Sequence, residues 1–245
     1  MQPTLILLHG AVLNGGMWAP IAADLSRDHN VLTPDLPGHG TRIGEKFKLD
    51  AAIATVTALA KELAPSPIVL AGDSLGGYVS LASASALGDQ LKGAVLGGCT
   101  MNFRGPQMLI YEAQILLTKI LKPETIRARF ETRIRQDFPQ AAAAILSGGL
   151  AVNAYEDAVE ELRKVDLRAV LASFKPPLIL LNGSKDLLHV LGEKGARAAN
   201  PRADIRRLNG IGHGVSLFRP AVFASTLREL LASLQPPGTI ASAGN

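Results

Sequence analysis

The sequence predicts an α/β protein in which a mostly parallel sheet is flanked by helices and interrupted by a helical insertion. Through the first 100 residues, short apolar runs alternate with segments of helical periodicity. That is the pattern of parallel strands covered on both faces. The alternation stops over residues 103–172, which hold helix-like pieces and no convincing strand, and resumes over 173–235.

Leu5 to Leu8 reads as a short buried strand, and Val31-Leu32-Thr33 as the next. Between them, Trp18 to Leu25 suits a helix with Pro20 in its first turn, where a missing amide costs no helical bond. Pro34-Asp35-Leu36-Pro37-Gly38-His39-Gly40 is a rigid loop. Ile53, Val56 and Leu63 give residues 50–64 a partial apolar stripe, ended by Pro65 and Pro67. A strand from Ile68 to Ala71, a helix over 78–87 and a strand from Ala94 to Leu96 follow. In the insertion, helix-like pieces fall near 107–121, 124–136 and 154–162. The strand pattern returns at Leu178 to Leu181, then a helix over 190–199, a strand over 205–208 and a closing helix over 221–234. The chain thus divides into a first core part (1–102), a helical cap (103–172), a second core part (173–235) and a small polar tail (236–245) that need not pack.

Composition narrows the function. A chain of 245 residues, 47% hydrophobic but only 4% aromatic, can bury a large core built mainly from aliphatic side chains. The formal charge of +4 comes with no long Lys/Arg run, which argues against a nucleic-acid partner. Cys99 is the only cysteine, so no intramolecular disulfide can form. Ending an apolar run, it suits packing or a pocket wall. Five scattered histidines offer no zinc spacing, and no metal or cofactor is expected. No stretch approaches a membrane span, and the N-terminus enters a strand at once, without a signal-like segment. A cytoplasmic protein is expected, with export of a processed form left open. Oligomeric state is not legible.

Gly72-Asp73-Ser74-Leu75-Gly76 fits G-x-S-x-G between an expected strand and an expected helix, the context that motif requires. The glycines leave room for a tight turn that lifts the Ser74 hydroxyl above the carboxyl edge of the sheet. Asp73 cannot share the serine's direction, and a solvated or locally bonded acid is expected there. His213, in Gly212-His213-Gly214 between the last strand and last helix, can take the serine proton and return it to a leaving group. Asp186 follows the strand ending at Leu181, beyond the carboxyl edge, where it can orient His213. The order Ser74, Asp186, His213 is that of the strand–turn–helix hydrolases. Asp35 is expected to brace turns, Asp204 to mark a strand boundary, His29 to sit at an exposed strand entrance and His189 in a loop or helix end. His9-Gly10-Ala11 follows the first strand, and its glycine lets a backbone amide approach a developing oxyanion. Ala11 is the expected first donor, with Val12 behind it, and Leu75 the second; His9 is expected to support the loop.

Together, His9-Gly10, Trp18, Asp35-Leu36-Pro37-Gly38-His39-Gly40, Gly72 to Gly77, Gly183 with Asp186, and Gly212-His213 closely resemble the α/β-hydrolase superfamily over nearly the whole core. The resemblance implies an α/β-hydrolase fold with a cap, a nucleophile at Ser74, an acid at Asp186, a base at His213 and an oxyanion hole at the Ala11 and Leu75 amides. Larger members carry two further strands before His9-Gly10, so a compact sheet of about six strands is expected. Serine at position 74 argues against epoxide hydrolases and dehalogenases, which usually use Asp. Gly214-Val215-Ser216 lacks the lysine of plant-type hydroxynitrile lyases.

The expected activity is serine-dependent hydrolysis of a small or medium carboxylic ester through an acyl-enzyme. A thioesterase or carbon–carbon bond hydrolase uses the same triad and stays open, as does a hydrolase-fold protein that binds a small molecule without turnover. Val12, Met101, Phe103, Met108 and Phe130 are the candidate substrate-binding residues, with Leu109, Ile115 and Leu116 as further apolar candidates in the cap. Arg127, Arg129, Arg133 and Arg135 form a basic cluster with Glu124 and Glu131 interspersed, expected chiefly as a solvated face.

Overall fold

The structure, a computed structural model, describes residues 2–105 and 107–235; the expected tail over 236–245 lies outside the described residues. Its strands are β1 (Thr4–Leu8), β2 (Val31–Leu32), β3 (Ile68–Asp73), β4 (Leu91–Gly97), β5 (Leu178–Gly183) and β6 (Asp204–Leu208). They form one six-stranded sheet in the order β2-β1-β3-β4-β5-β6, every neighbouring pair parallel. The central strands β1, β3 and β5 are buried at every residue. That explains why they read as continuous apolar runs rather than alternating ones.

Alternate residues face two layers. Ile6, Leu8, Ile68, Leu70, Leu96 and Leu180 pack with α2 (Leu49–Leu63) and α3 (Leu75–Leu87) on one face. Leu5, Leu7, Val69, Ala71, Val95 and Leu181 meet α1 (Ala19–Leu25) and the closing helix on the other, where Trp18 stacks edge-on to Phe223. Each fully buried Leu, Ile or Val contributes roughly 1.5–3 kcal/mol, so the two layers dominate the stability of the sheet.

Two helix starts fall three residues before the expected positions. Helix α3 begins at Leu75, three residues before the expected position, because its first turn is set by the strand–helix turn despite the weak helix propensity of Gly76-Gly77. Gly76 is required there: a Cβ would lie 2.0 Å from the carbonyl oxygen of Leu8. The insertion contributes α4 (Met108–Ile120), α5 (Pro123–Asp137), α6 (Pro139–Ser147) and α7 (Ala154–Leu162). Helix α6 was not anticipated, since its alanine run gives little apolar periodicity. After α8 (Leu167–Ser173), which packs on α3, comes α9 (Leu187–Ala199), starting at Leu187 rather than residue 190, then α10 (Val215–Phe218) and α11 (Pro220–Ser233). None of the described helices is long and apolar enough to cross a membrane.

The inserted helices form a cap tied to the first loop of the core. Asn14 donates to the carbonyls of Ile145 and Gly149, each at 2.8 Å, and accepts from the amide of Gly16 at 2.9 Å. The amide of Ala151 donates to the Val12 carbonyl at 2.8 Å. Glu161 on α7 accepts from Lys48, from Lys164 and from the amide of Leu49, joining the cap to the start of α2.

Candidate active site

Ser74 sits at the junction of β3 and α3 with φ 54° and ψ −117°. A non-glycine residue at positive φ is strained, and the neighbours fix it: the Ser74 amide donates to the Gly97 carbonyl at 2.8 Å, and the amide of Gly77 donates to the Ser74 carbonyl at 2.9 Å. The hydroxyl is thereby held at the carboxyl end of the sheet and 2.8 Å from His213 Nε2.

His213 lies in the loop between β6 and α10. Its Nδ1 is 2.6 Å from Asp186 Oδ2, and an ionised carboxylate can only accept, so Nδ1 is the protonated nitrogen and donates. Nε2 then carries the free lone pair that accepts from the Ser74 hydroxyl. Burial opposes charging of this imidazole, but the bond to Asp186 and the charges of Asp186 and Asp73 outweigh it and raise the His213 pKa. Asp186 is the N-terminal cap of α9 and nearly buried. Burial would raise its pKa, yet hydrogen bonds from His189 and His213 hold it well below the usual carboxylate range.

The first loop runs beside this chain of groups. The loop packs directly against the serine: a Cβ at Gly10 would lie in ordinary contact, 3.5 Å from the Asp73 carbonyl oxygen and 3.6 Å from Ser74 Cβ. Ala11 is partly buried, and Val12, at φ 70°, is the other non-glycine residue at positive φ among the described residues. Leu75 opens α3, where the first amides of a helix have no helical acceptor. His9 is buried under the loop; its Nε2 accepts from the Leu36 amide at 2.9 Å. Burial, with His39 alongside, lowers its pKa to about 3, which keeps that nitrogen an acceptor. Asp35 braces the same loop, accepting from the amides of Gly15 and Thr41 and from the Thr41 hydroxyl, each at 2.8 Å.

A cavity of about 300 Å³ under the cap is lined by Val12, Gln114, Leu121, Ile126, Arg129, Phe130, Val152 and Tyr155. Val12 and Phe130 therefore face it. Met101, Phe103 and Met108 do not: they are buried in the core, where Phe103 stacks edge-on to Tyr78 and the Met101 carbonyl accepts from the Tyr78 hydroxyl at 2.7 Å. As apolar residues just past a strand end they fit either place, and the packing of α3 decides. Arg127, Arg133 and Arg135 are exposed on α5, with Arg133 paired to Asp137 at 3.1 Å.

One group stands differently from expectation, and a second, at the helix end expected for it, makes contacts that were not expected. Asp73 is neither solvated nor locally bonded: it is 1% exposed and accepts from the amide and hydroxyl of Ser216. His189 is buried in the first turn of α9, 2.9 Å from Asp186 Oδ1 and stacked on His213 with ring centroids 4.8 Å apart. The Asp73–Ser216 contact and the stacking of His189 on His213 join distant segments, which no local pattern reveals; the three-residue step from Asp186 to His189 was the one available signal for their hydrogen bond. Donor atoms of Asp186, His189 and His213 lie within 4.8 Å of one another. Both ring Nδ1 atoms are committed to Asp186 oxygens at hydrogen-bond distance, so the cluster is organised around protons rather than around an ion.

The family model for the "Alpha/beta hydrolase family" matches residues 5–226, and the chain belongs to that family. Among curated relatives, the pimeloyl-[acyl-carrier protein] methyl ester esterase of Xanthomonas campestris pv. campestris (strain B100) is 29% identical, over 95% of this chain and 96% of the relative. Among solved structures, E-2-(acetamidomethylene)succinate hydrolase superposes with a TM-score of 0.78 at 19% identity, covering 95% of this chain and 92% of that one. The enol-lactonase from Burkholderia xenovorans LB400 gives 0.76 at 22% identity, covering 95% and 92%. These two likenesses are of fold.

Proposed function

We propose that the protein is a carboxylic-ester hydrolase working through a serine acyl-enzyme. The observation that carries this reading is the continuous chain from Ser74 Oγ to His213 Nε2 at 2.8 Å and from His213 Nδ1 to Asp186 Oδ2 at 2.6 Å. His213 takes the Ser74 proton as the serine oxygen bonds to the ester carbonyl carbon, and the carbonyl electron pair moves onto oxygen. The amides of Ala11 and Leu75 hold that oxyanion, an arrangement whose loss of one donor typically costs about 10²–10³ in rate. The tetrahedral centre collapses, the alcohol leaves with the proton from His213, and water deprotonated by His213 releases the acid. Asp186 orients the ring and stabilises its charged form.

The apolar cavity beneath the cap supports a hydrophobic acyl or alcohol group, and the methyl ester chemistry in the Xanthomonas relative's name agrees with an ester as the bond cleaved. Initial rates on a series of p-nitrophenyl esters, with Ser74→Ala alongside, test the reading. Chain-length-dependent turnover that Ser74→Ala abolishes supports it; equal turnover by both proteins rejects the serine mechanism. A folded wild type without turnover moves the assignment to thioester or carbon–carbon substrates, or to binding alone.

A further inference from the structure

Asp186 serves two imidazoles. Its Oδ2 lies 2.6 Å from His213 Nδ1 and its Oδ1 lies 2.9 Å from His189 Nδ1, on the first turn of the helix that Asp186 caps. The rings lie one above the other, 4.8 Å between centroids and 29° between planes. We propose that His189 is a positioning residue of the active site: its Nδ1–H occupies the second oxygen of Asp186 and limits how strongly that carboxylate holds the proton of His213. The inference rests on the hydrolase reading above and extends it to a group outside the triad.

Several features commit His189 to that contact. It is 1% exposed, so its imidazole has given up water and needs a partner within the protein. Its backbone is fixed, since its carbonyl accepts from the Thr100 hydroxyl at 2.7 Å, and that hydroxyl accepts from Asn182 at 3.1 Å. One turn later, Gly192 lets α9 settle against the segment that follows β4: a Cβ there would lie 2.0 Å from the Thr100 carbonyl oxygen. An apolar side chain would fill the same space without reaching Asp186 Oδ1, so packing alone does not call for an imidazole.

The groups facing His189 come from four directions. Asp186 lies on its own helix, His213 in the loop above, Tyr78 on α3 and Asp73 at the end of β3. The Tyr78 oxygen is 3.5 Å from His189 Nε2, but its proton already goes to the Met101 carbonyl at 2.7 Å. Burial and the neighbouring His213 disfavour a charge on His189, against the pull of Asp186 and Asp73, and its pKa falls below the ordinary value. His189 thus stays neutral where His213 works, a fixed donor that draws part of the Asp186 charge away from His213. Removing the donor leaves that charge undivided, and His213 then holds its proton to higher pH.

The test compares pH profiles of kcat/KM for wild type, His189→Val and His189→Asn on one p-nitrophenyl ester. Asn places an amide donor near the Nδ1 position. The acid limb is expected to move up by about half to one pH unit in His189→Val and to return to the wild-type position in His189→Asn. An unmoved limb in folded His189→Val, or the same shift in both variants, overturns the proposal. Nitrogen-15 resonances of the wild-type imidazoles give a second readout that needs neither turnover nor a foldable variant. His189 is expected as the neutral Nδ1–H tautomer while His213 titrates; an Nε2–H tautomer, or titration of His189 alongside His213, overturns it. Ser74→Ala distinguishes the two failures, because retained hydrolysis in that variant sinks the serine mechanism while leaving the tautomer result intact.

Discussion

Asp73 and Ser216 are 143 residues apart in sequence, yet the Asp73 carboxylate accepts the amide of Ser216 at 2.8 Å and its hydroxyl through the same oxygen. The residue before the serine is therefore bolted to the first turn of α10, immediately after the loop that carries His213. Asp73→Ala strands a buried amide and hydroxyl, and a loss of roughly 2–4 kcal/mol is expected in denaturant unfolding. Asp73 also helps raise the His213 pKa. Both Asp73→Ala and Asp73→Asn should accordingly move the acid limb of kcat/KM to lower pH, opposite to the shift expected for His189→Val. An acid limb that rises in Asp73→Asn would contradict this account.

Asn14 is the hinge pin between the first loop and the cap, bonded to two carbonyls of the cap and to one amide of its own loop. Asn14→Ala leaves both carbonyls without that donor, at a cost of roughly 2–3 kcal/mol. For a chain of this size that corresponds to a fall of about 4–12 °C in melting temperature. Calorimetry checks the fall, and kcat should drop with it because Ala11 and Val12 share the loop.

Glu161 carries the acid sensitivity of the contact between cap and core. Burial alone would raise its pKa, but bonds from Lys164, Lys48 and the Leu49 amide lower it from 4.5 to about 2. The folded pKa is depressed, so the stabilisation is complete above the unfolded pKa and is lost as pH falls from 4.5 toward about 2. Because both ammonium groups are exposed, the contribution is on the order of 1–2 kcal/mol. Unfolding free energies of wild type and Glu161→Gln should differ at neutral pH and converge as pH drops through that window. A constant difference across it would remove Glu161 from the explanation.

Val152 lines the cavity beside Ile126 and Phe130. Val152→Phe fills part of about 300 Å³ and should discriminate by chain length. At roughly 1–3 kcal/mol per displaced methylene, kcat/KM for octanoate should fall at least tenfold while acetate stays within about threefold. Equal losses on both esters would place the acyl chain elsewhere.

The sequence made the sheet and the Ser74 turn legible because both are local patterns: buried parallel strands are apolar runs, and G-x-S-x-G announces its own strand and helix. Asp186 and His213 were legible by position, each just past the end of a strand. What stayed hidden was set by packing. Nothing near Asp73 indicates Ser216, and α6 buries Ala141, Ala142 and Ile145, a face too rich in alanine to stand out, because its backbone closely approaches Gly16 of the first loop. Met101, Phe103 and Met108 have the composition of a pocket wall, and only the position of Tyr78 assigns them to the core. His189 was expected in a loop or helix end and lies in the first turn of α9; what the sequence did not show is its burial between Asp186 and His213.

The Val12 carbonyl, which receives the Ala151 amide at 2.8 Å, belongs to the residue directly after the proposed oxyanion donor. One short stretch of backbone therefore reports on two things at once: whether the cap is seated, and whether the anion site is formed. Displacing the cap would pull on the same peptide units that must face the substrate, and a ligand that wedged it away would then disturb the proposed anion site without touching Ser74.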